Sequence, residues 1–79
     1  MIIKVLGTGC AKCANLEQKT REVIAKNNIE ASVEKVSDLP EIMKYGVMMT
    51  PALVINEKVV HYGSVPKEDQ ILKLIQGAM

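Results

Sequence analysis

Ile2-Ile3-Lys4-Val5-Leu6 runs into Gly7-Thr8-Gly9 and then into Cys10-Ala11-Lys12-Cys13, and the architecture is read outward from these twelve residues. The first five residues are apolar apart from Lys4, the pattern of a short strand buried largely on both faces. Gly7-Thr8-Gly9 breaks that strand. From Ala11 to about Asn27, the residues Cys13, Leu16, Thr20, Val23, Ile24 and Asn27 recur at spacings of three and four and mark one face of a helix. Glu17 with Arg21 and Glu22 with Lys26 add i to i+4 pairs on its outer side, and Asn27-Asn28 suits its stop. The two cysteines therefore stand where a strand hands over to a helix.

Ile29, Ala31 and Val33 alternate with Glu30, Ser32 and Glu34, which fits a half-exposed strand at a sheet edge. Asp38-Leu39-Pro40-Glu41 reads as a capping-box variant opening a short helix that Gly46 ends. Leu53-Val54-Ile55 and Val59-Val60 flank Asn56-Glu57-Lys58 as in a hairpin. That turn has no glycine, and Glu57 suits a positive φ poorly, so either a two-residue primed turn or a looser one is open. Gly63-Ser64-Val65-Pro66 leads into a last helix with an Ile71, Leu72, Leu74, Ile75 stripe and Gly77 at its end. The order is strand, helix, strand, helix, strand, strand, helix, an α/β pattern consistent with one mixed sheet flanked by helices.

With 79 residues the chain fits one domain, near the size at which a single core just suffices. Ten basic and nine acidic residues are interspersed, with no run resembling a nucleic-acid footprint, so no nucleic-acid partner is expected. No apolar run approaches the roughly 18 residues of a membrane span, and Met1-Ile2-Ile3-Lys4 lacks a basic leader and cleavage site. A soluble, unprocessed, cytoplasmic monomer without a membrane partner is the expectation. A disulfide between Cys10 and Cys13 would close a very small loop, which stabilises little, and the cytosol disfavours permanent disulfides. Chemistry explains the pair better than structural stapling.

At a helix start, unpaired N–H groups and the positive end of the dipole stabilise an anion, and Lys12 adds charge if its side chain turns back. Thiols in such settings have pKa values lowered from about 8.5 to roughly 3.5 to 7.5, which marks Cys10 as a nucleophile. Cys13 lies one turn further in on the buried stripe, placed to resolve a mixed disulfide. The spacing alone leaves redox use and metal use open.

Gly9-Cys10-Ala11-Lys12-Cys13 after the first strand, together with Met49-Thr50-Pro51-Ala52-Leu53-Val54-Ile55 before the hairpin, resembles the thioredoxin and glutaredoxin superfamily, in particular its minimal members of about this size. The resemblance covers residues 1–79 in element order. It implies a single thioredoxin-like domain with a four-stranded mixed sheet and three helices, β-α-β-α-β-β-α. It also implies a thiol-disulfide oxidoreductase in electron transport and cell redox homeostasis, with Cys10 and Cys13 as the redox-active, disulfide-forming centre. Pro51 would be cis beside the CxxC and the Thr50 backbone would pair with an extended substrate; apart from the resemblance, Met49 and Lys12 are further candidates for substrate binding. Protein disulfides would be the substrates, a reductase of the flavoprotein thioredoxin-reductase kind the electron donor, and no cofactor or metal is called for.

Departures are visible too. No proline or aromatic residue separates the cysteines, no tryptophan precedes them, and Lys4 stands where larger thioredoxins carry a buried acid. The double glycine with which glutaredoxins bind glutathione is reduced to Gly63-Ser64. Lys4 is either a snorkelling strand residue or a buried cation near the thiols. Met48 and Met49 either form a soft rim for varied partners or fill the core. His61 reads as a solvated side chain, and Tyr45 and Tyr62 as packing residues with wet hydroxyls. The alternatives in function are a soft-metal carrier, since paired thiolates suit Cu(I) or Zn, and a non-catalytic redox-sensing module. Against the carrier stands the second half of the chain, where small heavy-metal-binding domains have a final strand and this sequence has Thr50-Pro51, a hairpin and an amphipathic helix.

Overall fold

Apolar residues on both sides of the two central strands give the sheet two buried faces, and the helices divide between them. The protein is represented by a computed structural model that describes residues 1–7, 11–47 and 49–78. Along the chain come β1 (Ile2–Leu6), α1 (Ala11–Lys26), β2 (Ser32–Val36), α2 (Leu39–Lys44), β3 (Ala52–Ile55), β4 (Lys58–Tyr62) and α3 (Glu68–Gly77). They form a mixed sheet of order β2-β1-β3-β4. The β1–β2 pair is parallel, which requires the crossover that α1 supplies, and the β1–β3 and β3–β4 pairs are antiparallel.

One face of the sheet presents Ile3 and Val5 of β1 with Leu53 and Ile55 of β3 to Leu16 and Val23 of α1 and Ile71 and Ile75 of α3. The other presents Leu6, Ala52 and Val54 to Ile42 and Val47. All four residues of β3 are buried, as a strand covered on both sides must be. β2 and β4 form the edges, where Glu34, Lys35 and Lys58 are exposed and discourage pairing with another sheet.

Several sequence expectations change. Residues 29–34 were expected to form the second strand, but β2 begins at Ser32 because pairing starts where Ser32 N–H reaches the Met1 carbonyl at 3.0 Å. Ile29 and Ala31 still pack against the core from the preceding connection. Lys26 pairs with Glu68 of α3 at 3.4 Å rather than with Glu22, while the Glu17–Arg21 pair forms as expected. Asp38 is at the N-cap of α2, yet its side chain makes no capping hydrogen bond, so the capping box is absent. Gly46, at φ +73, ends α2 as expected, whereas Gly77 is the last residue of α3 and Ala78 its cap.

The hairpin closes in two residues, with Ile55 paired to Lys58 and positive φ at both Asn56 (52) and Glu57 (68), the primed geometry that twists with the strands. Glu57 is kept there by its carboxylate, which receives hydrogen bonds from Lys4 Nζ at 2.8 Å and Tyr45 Oη at 3.0 Å. Tyr45 therefore has a bonded hydroxyl rather than a merely wet one. Among the described residues no helix is long and apolar enough to cross a membrane.

Candidate functional site

The register of β1 against β3 brings Gly7, which lies against Cys13, and Pro51 to one end of the sheet. Leu6 faces Ala52, so Gly7 follows the last residue of β1 on the side where Pro51 precedes the first residue of β3. The Thr50–Pro51 peptide is cis, as the resemblance implies, and Pro51 is buried. Its carbonyl accepts a hydrogen bond from Gly63 N–H at 2.9 Å, which ties the start of β3 to the end of β4. Gly63 has φ +88, a conformation that L side chains rarely adopt.

Cys13 sits in the first turn of α1 on its inner stripe and is 2% exposed, in line with Leu16, Thr20 and Val23. Helical periodicity causes this, because positions 13, 16, 20 and 23 share a face. The first turn carries no acidic side chain, so nothing there offsets the positive end of the dipole. Ala11 and Lys12 are exposed beside it. Cys10, the nucleophile named from sequence, and Met48, which the sequence reads as either rim or core, lie outside the described residues, as do Thr8 and Gly9.

Met49 is 57% exposed, and its side chain lies close to Gly63, within 3.7 Å of where a Cβ there would stand. It borders a groove of about 410 Å³ with Tyr45, Gly46, Val47, Val59 and Tyr62. Met49 thus takes the rim place rather than the core place. Thr50 is half-buried between it and Pro51.

Lys4 does not join this end. Its ammonium binds Glu57 Oε1 and Tyr45 Oη, lies 5.7 Å from the centre of the Tyr45 ring, and so is committed to the hairpin turn at the opposite end of β3 from Pro51. These two hydrogen bonds hold its pKa above the ordinary lysine range, and the bonds that Glu57 receives from Lys4 and Tyr45 lower its own. An ammonium that stays charged has no lone pair with which to accept the proton of Cys13. His61 Nε2 is hydrogen-bonded to Ser64 Oγ at 3.1 Å on β4, so it is half-buried rather than simply solvated.

Sequence reasoning passed over two glycines of this end. Gly7, by sequence a strand breaker, lies directly against Cys13, and Gly63, by sequence the lead into the last helix and the remnant of a glutaredoxin double glycine, holds Pro51. A glycine immediately before a CxxC turn, and another where a chain returns beside the predicted proline, were the available signals.

A family model described as a thioredoxin domain matches residues 1–76. A protein named thioredoxin from Methanothermobacter thermautotrophicus is 32% identical over 75 residues, covering 95% of this chain and 97% of its own length. Another of that name from Methanocaldococcus jannaschii is 30% identical over 71 residues, covering 90% and 81%. Among solved structures, the germline-specific thioredoxin Deadhead of Drosophila melanogaster superposes with a TM-score of 0.66 at 15% identity, over 99% of this chain and 80% of its own.

Proposed function

The chain belongs to the thioredoxin family, and from that premise we propose that Cys10 and Cys13 act as a dithiol that reduces disulfides in other proteins. A redox function of the thiol-disulfide oxidoreductase type, with protein substrates and a reductase partner, goes with the family in general. The finer reading is supported by Cys13, buried in the first turn of α1 at the sheet end that holds the Thr50–Pro51 cis peptide.

In the proposed reaction the Cys10 thiolate attacks one sulfur of a substrate disulfide. The Cys10–substrate bond forms, the substrate S–S bond breaks, and the departing sulfur leaves with the electron pair and takes a proton from water. Cys13 then attacks Cys10 Sγ and its thiol proton passes to the departing sulfur; the Cys10–Cys13 bond forms, the Cys10–substrate bond breaks, and the second substrate sulfur leaves reduced. Two electrons pass from the dithiol to the substrate, and a flavoprotein disulfide reductase returns them. The start of α1 at Ala11, with no acid in its first turn, supports Cys10 as the attacking group. Thr50, beside Pro51, offers its backbone to an extended substrate segment, with Met49 and Lys12 at the margin.

The test is turnover. Reduced protein, a disulfide-bonded protein substrate and a recycling dithiol reductant should give sustained reduction, abolished in Cys10→Ser. A rate no higher for the wild type than for Cys10→Ser ends this reading.

A further inference from the structure

Gly7 and Cys13 approach each other more closely than any side chain at position 7 allows. A Cβ built on Gly7 would overlap Cys13 Sγ and stand 2.7 Å from Cys13 Cβ, a separation that real Cβ atoms essentially never show. The need for glycine is one of space alone, because the φ of Gly7 is not in the left-handed region where Gly46 and Gly63 lie. An alanine would suit the backbone conformation and not the volume.

Neither partner is at liberty to recede. Gly7 N–H donates to the Val36 carbonyl at 2.9 Å, which continues the β1–β2 pairing past the end of β1. On the other side α1 is seated by Leu16, Thr20 and Val23, all buried against the sheet. Rotation about χ1 of Cys13 would move its sulfur, but it leaves the Cβ in place and so does not relieve the second overlap.

We propose that Gly7 is the positioning residue of the resolving thiol: the missing side chain at the end of β1 is the seat of Cys13 Sγ. This rests on the dithiol reading above and adds to it a residue outside the CxxC motif. Gly7 touches no substrate. It acts by fixing where the Cys13 sulfur stands when it must attack Cys10 Sγ, and a displacement on the order of 1 Å from such a geometry costs roughly 10²-fold in rate. The second displacement should feel the substitution far more than the first, because Cys10 attacks before Cys13 is needed.

An aromatic disulfide whose released thiolate is coloured separates the two steps. Its first equivalent appears when Cys10 attacks, in a phase that depends on reagent concentration; its second appears when Cys13 attacks Cys10 and releases the mixed-disulfide partner, in a phase that does not. Gly7→Ala should keep the first rate within about threefold of wild type and slow the second on the order of 10²-fold. A folded Gly7→Ala with its second phase within threefold of wild type overturns the proposal, and so does equal slowing of both phases. Failure of the wild type to release a second equivalent strikes the dithiol reading itself, independently of Gly7. If Gly7→Ala does not fold, Cys13→Gly removes the atoms in the overlap, so Gly7→Ala added to Cys13→Gly should leave the urea midpoint of that single variant unchanged. A further drop in that midpoint would assign the glycine to some other packing requirement and overturn the proposal.

Discussion

Lys4 is a charged residue on a central strand, and its position is tolerable because Glu57 and Tyr45 hold its ammonium head. Glu57, whose pKa lies below its ordinary 4.5 in the folded chain, contributes stability that is fully present above that value and is lost as pH falls through the lowered one. Lys4, raised above its ordinary 10.5, contributes below that value and loses its share only as pH rises through the raised one. The pair is therefore intact from about pH 4.5 to 10.5. The difference in urea midpoint between wild type and Glu57→Gln should be constant across neutral pH and shrink below pH 4.5. A difference that stays flat down to pH 2 would show the carboxylate charge to be irrelevant. Sequence could place Lys4 on the strand but not its partner, since 53 residues separate it from Glu57 and only the fold brings the turn to it.

At the level of elements, α2 shows how little of a short helix's stability is its own. Six residues are too few for a helix to persist in water, and Ile42 is its one buried residue, sealed against Leu6, Val47, Ala52 and Val54. Ile42→Ala should cost about 2 to 5 kcal/mol, whereas Met43→Ala next to it, largely exposed, should stay within about 0.5 kcal/mol. Equilibrium urea unfolding of both variants, with unchanged slopes, checks the contrast; comparable losses would mean that α2 packs differently. In the sequence these are simply adjacent Ile and Met, and no six-residue window shows which one faces inward. The long α1 and the amphipathic α3 were legible because their apolar spacing repeats over several turns, and so was β3 with its punctuating proline. The start of β2 was not legible, since pairing depends on where β1 begins. Nor was the hairpin geometry, since the positive φ of Glu57 goes with carboxylate bonds to Lys4 and Tyr45, residues the fold alone brings to the turn.

Across the whole molecule, the sheet keeps its ionic contact and its proposed redox chemistry at opposite ends of β3. The Lys4–Glu57–Tyr45 cluster closes the turn after Ile55, while Pro51, Gly63, Met49 and the Gly7–Cys13 contact gather before Ala52. The cysteine motif and the proline motif were readable because each is local in the chain, but the contacts of Gly7 and Gly63 exist only once β1, β3 and β4 are aligned. A rigid β3 between the two ends should let them be altered separately. Glu57→Gln should leave the rate with a protein disulfide within about twofold of wild type. Gly63→Ala forces an L side chain to φ +88 at the residue whose N–H holds the Pro51 carbonyl, at a cost of about 1 to 2 kcal/mol in stability. It should also lower kcat/KM for a protein disulfide by about 10-fold, the equivalent of losing roughly 1.4 kcal/mol of alignment at the transition state, while the rate with a small aromatic disulfide stays near wild type. The split follows from where the substitution acts: a protein substrate must lie along the Thr50–Pro51 backbone, and a small reagent needs only the sulfur. Equal losses with both substrates would mean that Gly63 supports the thiols and not the substrate strand.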